Sequence, residues 1–231
     1  MNKIFHIPHS SKYIPEEYLD DYLVTREYLN LSNDIICDND LDKMVKIFNP
    51  NSIIFPYSRL FCDVERFDSD DEVMNSIGMG VLYTHNHDLV KIRENPNPEI
   101  KKYYYEHHRI FNKKVKKMLE KSEKVVIIDL HSYSKYALPY ELNKSLDRPE
   151  ICIGLNKNYN KDLLNNIINL SNNFNFKTSI NKPFSGSIIP SEFVDDKRVS
   201  SFMIEIRKDL YSTKEGFLKV SNFLKLIYND I

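Results

Sequence analysis

Val125-Val-Ile-Ile-Asp-Leu-His-Ser-Tyr-Ser134 is an apolar, largely β-branched run that delivers a histidine near its end. A run of this length and composition predicts a buried strand over Val125–Leu130, with the ionisable group at its carboxyl end. Ser201-Phe-Met-Ile-Glu-Ile-Arg-Lys-Asp-Leu-Tyr211 does the same with a glutamate, on a strand predicted over Phe202–Ile206. A third run, Lys3-Ile-Phe-His-Ile7, is broken by Pro8 and followed at once by His9. Open α/β sheets bind ligands at the carboxyl edge of their strands. Two histidines and one glutamate brought to that edge suggest a metal-assisted hydrolase site.

Working outward, further strands are predicted over Ser52–Phe55, stopped by Pro56, and over Ile151–Leu155. Helical periodicity covers Glu16–Leu31, Leu41–Phe48, Lys161–Phe174 and, longest, Pro98–Glu120. In the last, Ile100, Tyr104, Phe111, Val115 and Met118 recur at helical spacing behind a proline suited to a first turn. A final helix is expected near Ser212, with Glu215 completing a capping box. Alternating strands and helices imply an α/β fold with a three-layer arrangement, helices covering both faces of the sheet. No repeat or linker divides the chain, so residues 1–231 read as one catalytic domain. The loop of roughly 20 residues between Leu130 and Ile151 is long enough to be functional.

Composition narrows the function. Thirty-two basic and 33 acidic residues are interspersed, for a net charge of −1. That balance gives no electrostatic case for nucleic acid, and no basic amphipathic stretch points to a membrane. Cys37, Cys62 and Cys152 are an odd, scattered set. They argue for a reducing compartment rather than a disulfide framework. With no signal-like apolar segment at the start and no run near 18 apolar residues, a cytoplasmic enzyme is expected.

The order of His9-Ser10-Ser11, Arg59…Asp63-Val-Glu-Arg66, Asp129-Leu-His131-Ser132 and Ile204-Glu205-Ile206 resembles the N-formylglutamate amidohydrolase family. Asn181-Lys-Pro-Phe-Ser-Gly186 and Leu210-Tyr211 are similar to two further segments of that family. The landmarks are distantly similar to those of zinc carboxypeptidases as well. The resemblance implies a mixed sheet of the phosphorylase/hydrolase-like (zinc carboxypeptidase-like) kind and one zinc ion per chain. It implies His9, Asp38 and His131 as metal ligands and Glu205 and Arg59 as catalytic groups. Arg66, Asn181 and His108 would contact a small substrate bearing a carboxylate. The reaction implied is hydrolysis of the amide of an N-acylated amino acid, N-formylglutamate-like, by a metal-activated water. A carboxypeptidase-like peptidase for short or cell-wall peptides, or a non-catalytic binding protein on the same fold, are the alternatives; oligomeric state is not legible.

Two departures stand out. The residue three after His9 is Lys12, which cannot ligate while protonated, so the second ligand must come from elsewhere; Asp38-Asn-Asp-Leu-Asp42 resembles the family's acidic helix start, which implies Asp38, with Asp34 and Asp42 as alternatives. Glu65 replaces the asparagine beside the clamp arginine, where its charge would oppose an acidic substrate tail unless it points away or pairs with Arg59. Elsewhere His6 reads as structural and facing away from His9. His107 and His108 cannot share a helix face, His107 reading as surface, and His85 and His87 fall in an exposed lid loop. Glu205 in an apolar strand must pair with Arg198 or Arg207, or act on a water with a raised pKa.

Overall fold

Strand alternation decides which helices cover which face. The computed structural model describes residues 1–156 and 159–230. Its strands are β1 (Asn2–Ile7), β2 (Ser52–Ile54), β3 (Val125–Tyr133), β4 (Ile151–Leu155), β5 (Thr178–Ile180) and β6 (Val199–Arg207). They form one sheet in the order β2-β1-β3-β6-β4-β5. All neighbours are parallel except β4, which runs antiparallel to β6, so the sheet is mixed as expected.

Phe5, Ile7, Val126, Ile128, Leu130, Phe202, Ile204 and Ile206 point to one face. There they meet α2 (Leu41–Lys46), α4 (Lys161–Asn173) and α5 (Lys214–Asp230) through Met44, Leu163, Ile167, Phe223 and Ile227. The alternate residues Ile4, Val125, Ile127 and Val199 meet α3 (Lys101–Leu119) through Phe111, Val115 and Met118. The same parity carries His6, Asp129, His131, Met203 and Glu205 onto the α3 side of the sheet. A further apolar cluster joins α1 (Arg26–Ile36) to Phe55, Phe61, Met79 and Ile100. It sits beside the carboxyl ends, tied there by Phe55 N to Ile7 O and Asp38 N to His9 O.

Several boundaries differ from the sequence reading, each for a local reason. The helix expected over Glu16–Leu31 is two elements, a 3-10 turn at Glu16–Asp21 and then α1. Tyr22 bridges Arg93, and Leu23 N bonds Ile92 O, which pulls the chain out of helix. Thr25 then caps α1 by accepting from Tyr28 N. The last helix is capped by Thr213, whose hydroxyl accepts from Gly216 N; the Ser212 hydroxyl instead donates to Asp209 O, so no Ser212–Glu215 capping box forms. β3 continues to Tyr133, which places His131 inside the strand and in register with Glu205. β5 escaped notice because three residues carry too little periodicity.

Phe223 of α5 is fully buried in the apolar cluster on its face of the sheet, with Phe174 and Phe176 edge-on to its ring. Phe223→Ala should therefore cost about 3–5 kcal/mol in urea unfolding, the range for truncating a buried phenylalanine.

Candidate metal centre and active site

Parity and register assemble the site before any loop is considered. His6 pairs with Asp129, and His131 with Glu205. To these the loop after β1 adds His9, and the turn after α1 adds Asp38. Lys208 holds that turn by donating to the carbonyls of Ile35 and Cys37, on either side of the α1 terminus.

Asp38 Oδ2 lies 3.7 Å from His9 Nδ1 and 3.2 Å from His131 Nδ1. Donors bound at about 2.0–2.1 Å to one tetrahedral ion stand roughly 3.3 Å apart, so this spacing fits a shared cation. Behind them, Asp63 Oδ1 accepts from His9 Nε2 at 2.8 Å, which leaves Nδ1 as the free ligand nitrogen. Asp63 also accepts from the Glu65 amide, from Tyr83 Oη at 2.6 Å and from Arg59 Nη2 at 2.9 Å.

Glu65 is the residue whose place the sequence misjudged most. It neither pairs with Arg59 nor points away: Oε2 lies 3.0 Å from His131 Nε2 and Oε1 3.4 Å from His6 Nδ1. With His9 and His131 it forms one triad able to hold a metal, and with His6 and Asp129 another; Asp38 belongs to neither. His6, read as structural, is fully buried on the site side, bonded to Asp129 at 2.9 Å and to His107 at 2.9 Å. His107 is accordingly buried rather than on the helix surface. Neither histidine stood out in the sequence, because each signal depends on the pairing of β1 with β3 and the docking of α3.

Four buried polar atoms of the cluster make no aligned hydrogen bond: His9 Nδ1, His131 Nε2, Glu65 Oε1 and Glu205 Oε2. With Glu205 ionised, five carboxylates (Asp38, Asp63, Glu65, Asp129, Glu205) share the region with three basic side chains, Arg59, Arg66 and Lys208. Without a metal the shortfall falls on the histidines. Burial would lower His131, but the Glu65 and Asp129 charges and the Asp129 and Asp38 carboxylates accepting from its ring outweigh it and raise its pKa well above the ordinary value. His6 is raised by Asp129 and Glu65 against the same burial. Burial would likewise raise Asp38, Asp63 and Glu65, yet their histidine and arginine neighbours hold all three low. Neutral imidazoles, a carboxylate and a deficit of positive charge are what a divalent cation requires.

Glu205 behaves differently. Burial pushes its carboxyl up to about 8, with Asp38 and Glu65 adding to the rise and His131 and Arg59 opposing it. Neither arginine proposed as its partner reaches it: Arg207 binds Asp209, and Arg198 binds Asp196.

The cluster opens into a cavity of about 950 Å³. Arg59, Arg66 and His108 line it, His108 with Nε2 against Val64 O. The loop after β3 contributes Leu138, Tyr140 and Leu142, so that long connection does form a wall. Asn181 does not line the cavity; it takes a positive φ of 56° and its Oδ1 accepts from Leu155 N, closing the turn after β5. Asp34 and Asp42 are engaged by Lys12 and Lys46. His87 is buried beside Asp88 rather than exposed, and neither it nor His85 lines the cavity.

Fold and site geometry define an α/β protein with a histidine–carboxylate cluster at the mouth of a sheet. The N-formylglutamate amidohydrolase family model matches residues 1–212, and the chain belongs to that family. An N-formylglutamate amidohydrolase from Ralstonia eutropha JMP134 shares the fold with a TM-score of 0.82 at 17% identity, over 98% of this chain and 91% of that one. The gene product Atu2144 from Agrobacterium tumefaciens does so with a TM-score of 0.72 at 16% identity, over 99% and 89%. No curated protein sequence matches the chain. No helix among the described residues is long and apolar enough to cross a membrane.

The raised Glu205 carboxyl has a consequence for the metal-free protein. Because the folded state binds its proton more tightly than the unfolded chain, its contribution is complete below the ordinary value of about 4.3 and is lost as pH rises to about 8. Calorimetry of metal-free Glu205→Gln should give a higher melting temperature than wild type at pH 9. The two should converge at pH 4.

Proposed function

We propose that this chain is a zinc-dependent amidohydrolase acting on an N-acylated amino acid. The approach of Asp38 Oδ2 to both His9 Nδ1 and His131 Nδ1, with Glu205 in register beside His131, carries the reading. A zinc ion held by His9, Asp38 and His131 would supply Lewis acidity toward the amide carbonyl and bring a water's pKa toward neutrality.

The protein's own groups divide the remaining work. Glu205, buried in register beside His131, accepts the proton of the attacking water and passes it to the leaving amine nitrogen. Arg59 is locked by Asp63 and keeps its charge, so it can stabilise developing negative charge on the carbonyl oxygen without reorganising. The Arg66 Nε donates to Met79 O, which leaves its terminal nitrogens for a substrate carboxylate. Asp63 fixes the orientation of His9 from behind, while Glu65 lies 3.0 Å from His131 Nε2 as a further carboxylate at the centre. A buried, reducing-compartment enzyme also suits the three cysteines, which are free and buried.

Elemental analysis of the zinc-loaded protein should show metal lost from both His9→Ala and His131→Ala; a folded variant that keeps its zinc removes that histidine from the centre. Asp63→Asn should weaken zinc by about 10–100-fold in a chelator competition, the range for outer-shell partners. Turnover by Glu205→Gln should drop at least about 100-fold with zinc content unchanged. Normal turnover in that variant would refute the mechanism.

A further inference from the structure

The charges and the apolar surface of the cavity point to a more specific substrate than the family name implies. Three of its described lining residues are basic: the guanidiniums of Arg59 and Arg66 and the amine of Lys208, whose pKa burial lowers. Two are already engaged. Arg59 donates through Nε and Nη2 to Asp63, and Lys208 donates to the Ile35 and Cys37 carbonyls. Arg66 alone of the three spends a single donor, Nε on Met79 O, so the cavity has one guanidinium able to grip a carboxylate.

Glu65, also among the lining residues, adds negative charge, its side chain 14% exposed and its carboxylate between His6 and His131. A second substrate carboxylate would meet that charge with no further cation to receive it. Like charges brought together in a desolvated site cost free energy, and this is how sites reject wrong ligands.

The cavity is large, and apolar side chains make up much of its lining. Its volume of about 950 Å³ is at the upper end for sites that enclose drug-sized ligands. A formylated amino acid, with about a dozen heavy atoms, would leave much of that space filled with water. Four of its apolar wall residues remain open to solvent, Phe67 at 75%, Tyr105 at 55%, Leu142 at 95% and Val194 at 51%. Apolar surface continuous with a site gains free energy when a ligand covers it.

We infer that the substrate is an amino acid with a single carboxylate whose nitrogen carries a bulky apolar acyl group. Arg66 takes the carboxylate, the amide lies against His131 and Glu205, and the acyl chain covers the wall formed by Phe67, Tyr105, Leu142 and Val194. The inference rests on the amidohydrolase reading above and deepens it.

The test crosses acyl size with charge on the zinc-loaded protein, using N-formylglutamate, N-formyl-leucine, N-octanoylglutamate and N-octanoyl-leucine. The kcat/KM for N-octanoyl-leucine should exceed that for N-formylglutamate by at least about 10-fold, the lower end for methylene discrimination in apolar pockets. Phe67→Asp and Leu142→Asp, at exposed positions that tolerate charge, should shrink the octanoyl-to-formyl ratio. If formyl substrates are turned over as well as octanoyl ones, the apolar assignment is wrong. If glutamate derivatives match leucine derivatives, the single-carboxylate assignment is wrong. Both results leave the amidohydrolase reading standing. If none of the four is hydrolysed, that reading falls, and calorimetric binding of N-octanoyl-leucine against N-formylglutamate still decides the substrate class. Preferential binding of the former supports it, and equal or reversed affinities overturn it.

Discussion

The buried carboxylate of Asp63 is the constraint on which the site depends. Fully excluded from solvent, it accepts from His9, Arg59, Tyr83 and the backbone amide of Glu65, and Arg66 approaches to 3.8 Å. An isolated carboxylate there would be very costly. Four aligned donors offset that cost, and each donor is thereby held in one orientation. The His9 tautomer, the Arg59 fork and the start of the Glu65–Arg66 segment all follow from a single side chain. Removing it would leave a buried guanidinium uncompensated, so Asp63 couples stability to the placement of the cluster.

The sheet supplies the second constraint. Because β3 and β6 are parallel and in register, His131 and Glu205 lie side by side without help from any loop. Parity also explains the burial of Glu205. It belongs to the face that α3 covers lower down through Val125, Ile127 and Val199, and only beyond that cover does the cavity begin. A carboxyl in that position is dry enough to be raised yet open enough to meet a ligand.

Much of this architecture is visible in the chain because its strands are short, apolar and bounded by proline or polar residues. The runs ending at His131 and Glu205 declare both the strands and the groups they carry. Asp38 was legible only through the family resemblance, since an acid at a helix start is more often a cap. What stayed hidden depends on pairing across the chain. His6 looks like a core histidine until β1 is set beside β3, when Asp129 becomes its partner. Glu65 looks like a clamp residue until the segment after Asp63 folds back toward two histidines. Asn181 misleads in the opposite sense: its motif is local, and the residue serves a left-handed turn and a bond to Leu155 rather than the cavity.

Glu65 also links the proposed metal to the proposed substrate. Its carboxylate makes the cluster more anionic, which would favour a divalent cation beside His131. The same charge narrows what can bind beside Arg66, since a ligand bringing two carboxylates would restore the imbalance that the cation had relieved. An asparagine at this position could hold the imidazole by a neutral hydrogen bond but would add no charge. One substitution in a family motif can therefore strengthen the metal site and alter ligand choice together. The large apolar wall is then consistent with the electrostatics: a site with one free guanidinium gains most of its remaining affinity from buried surface.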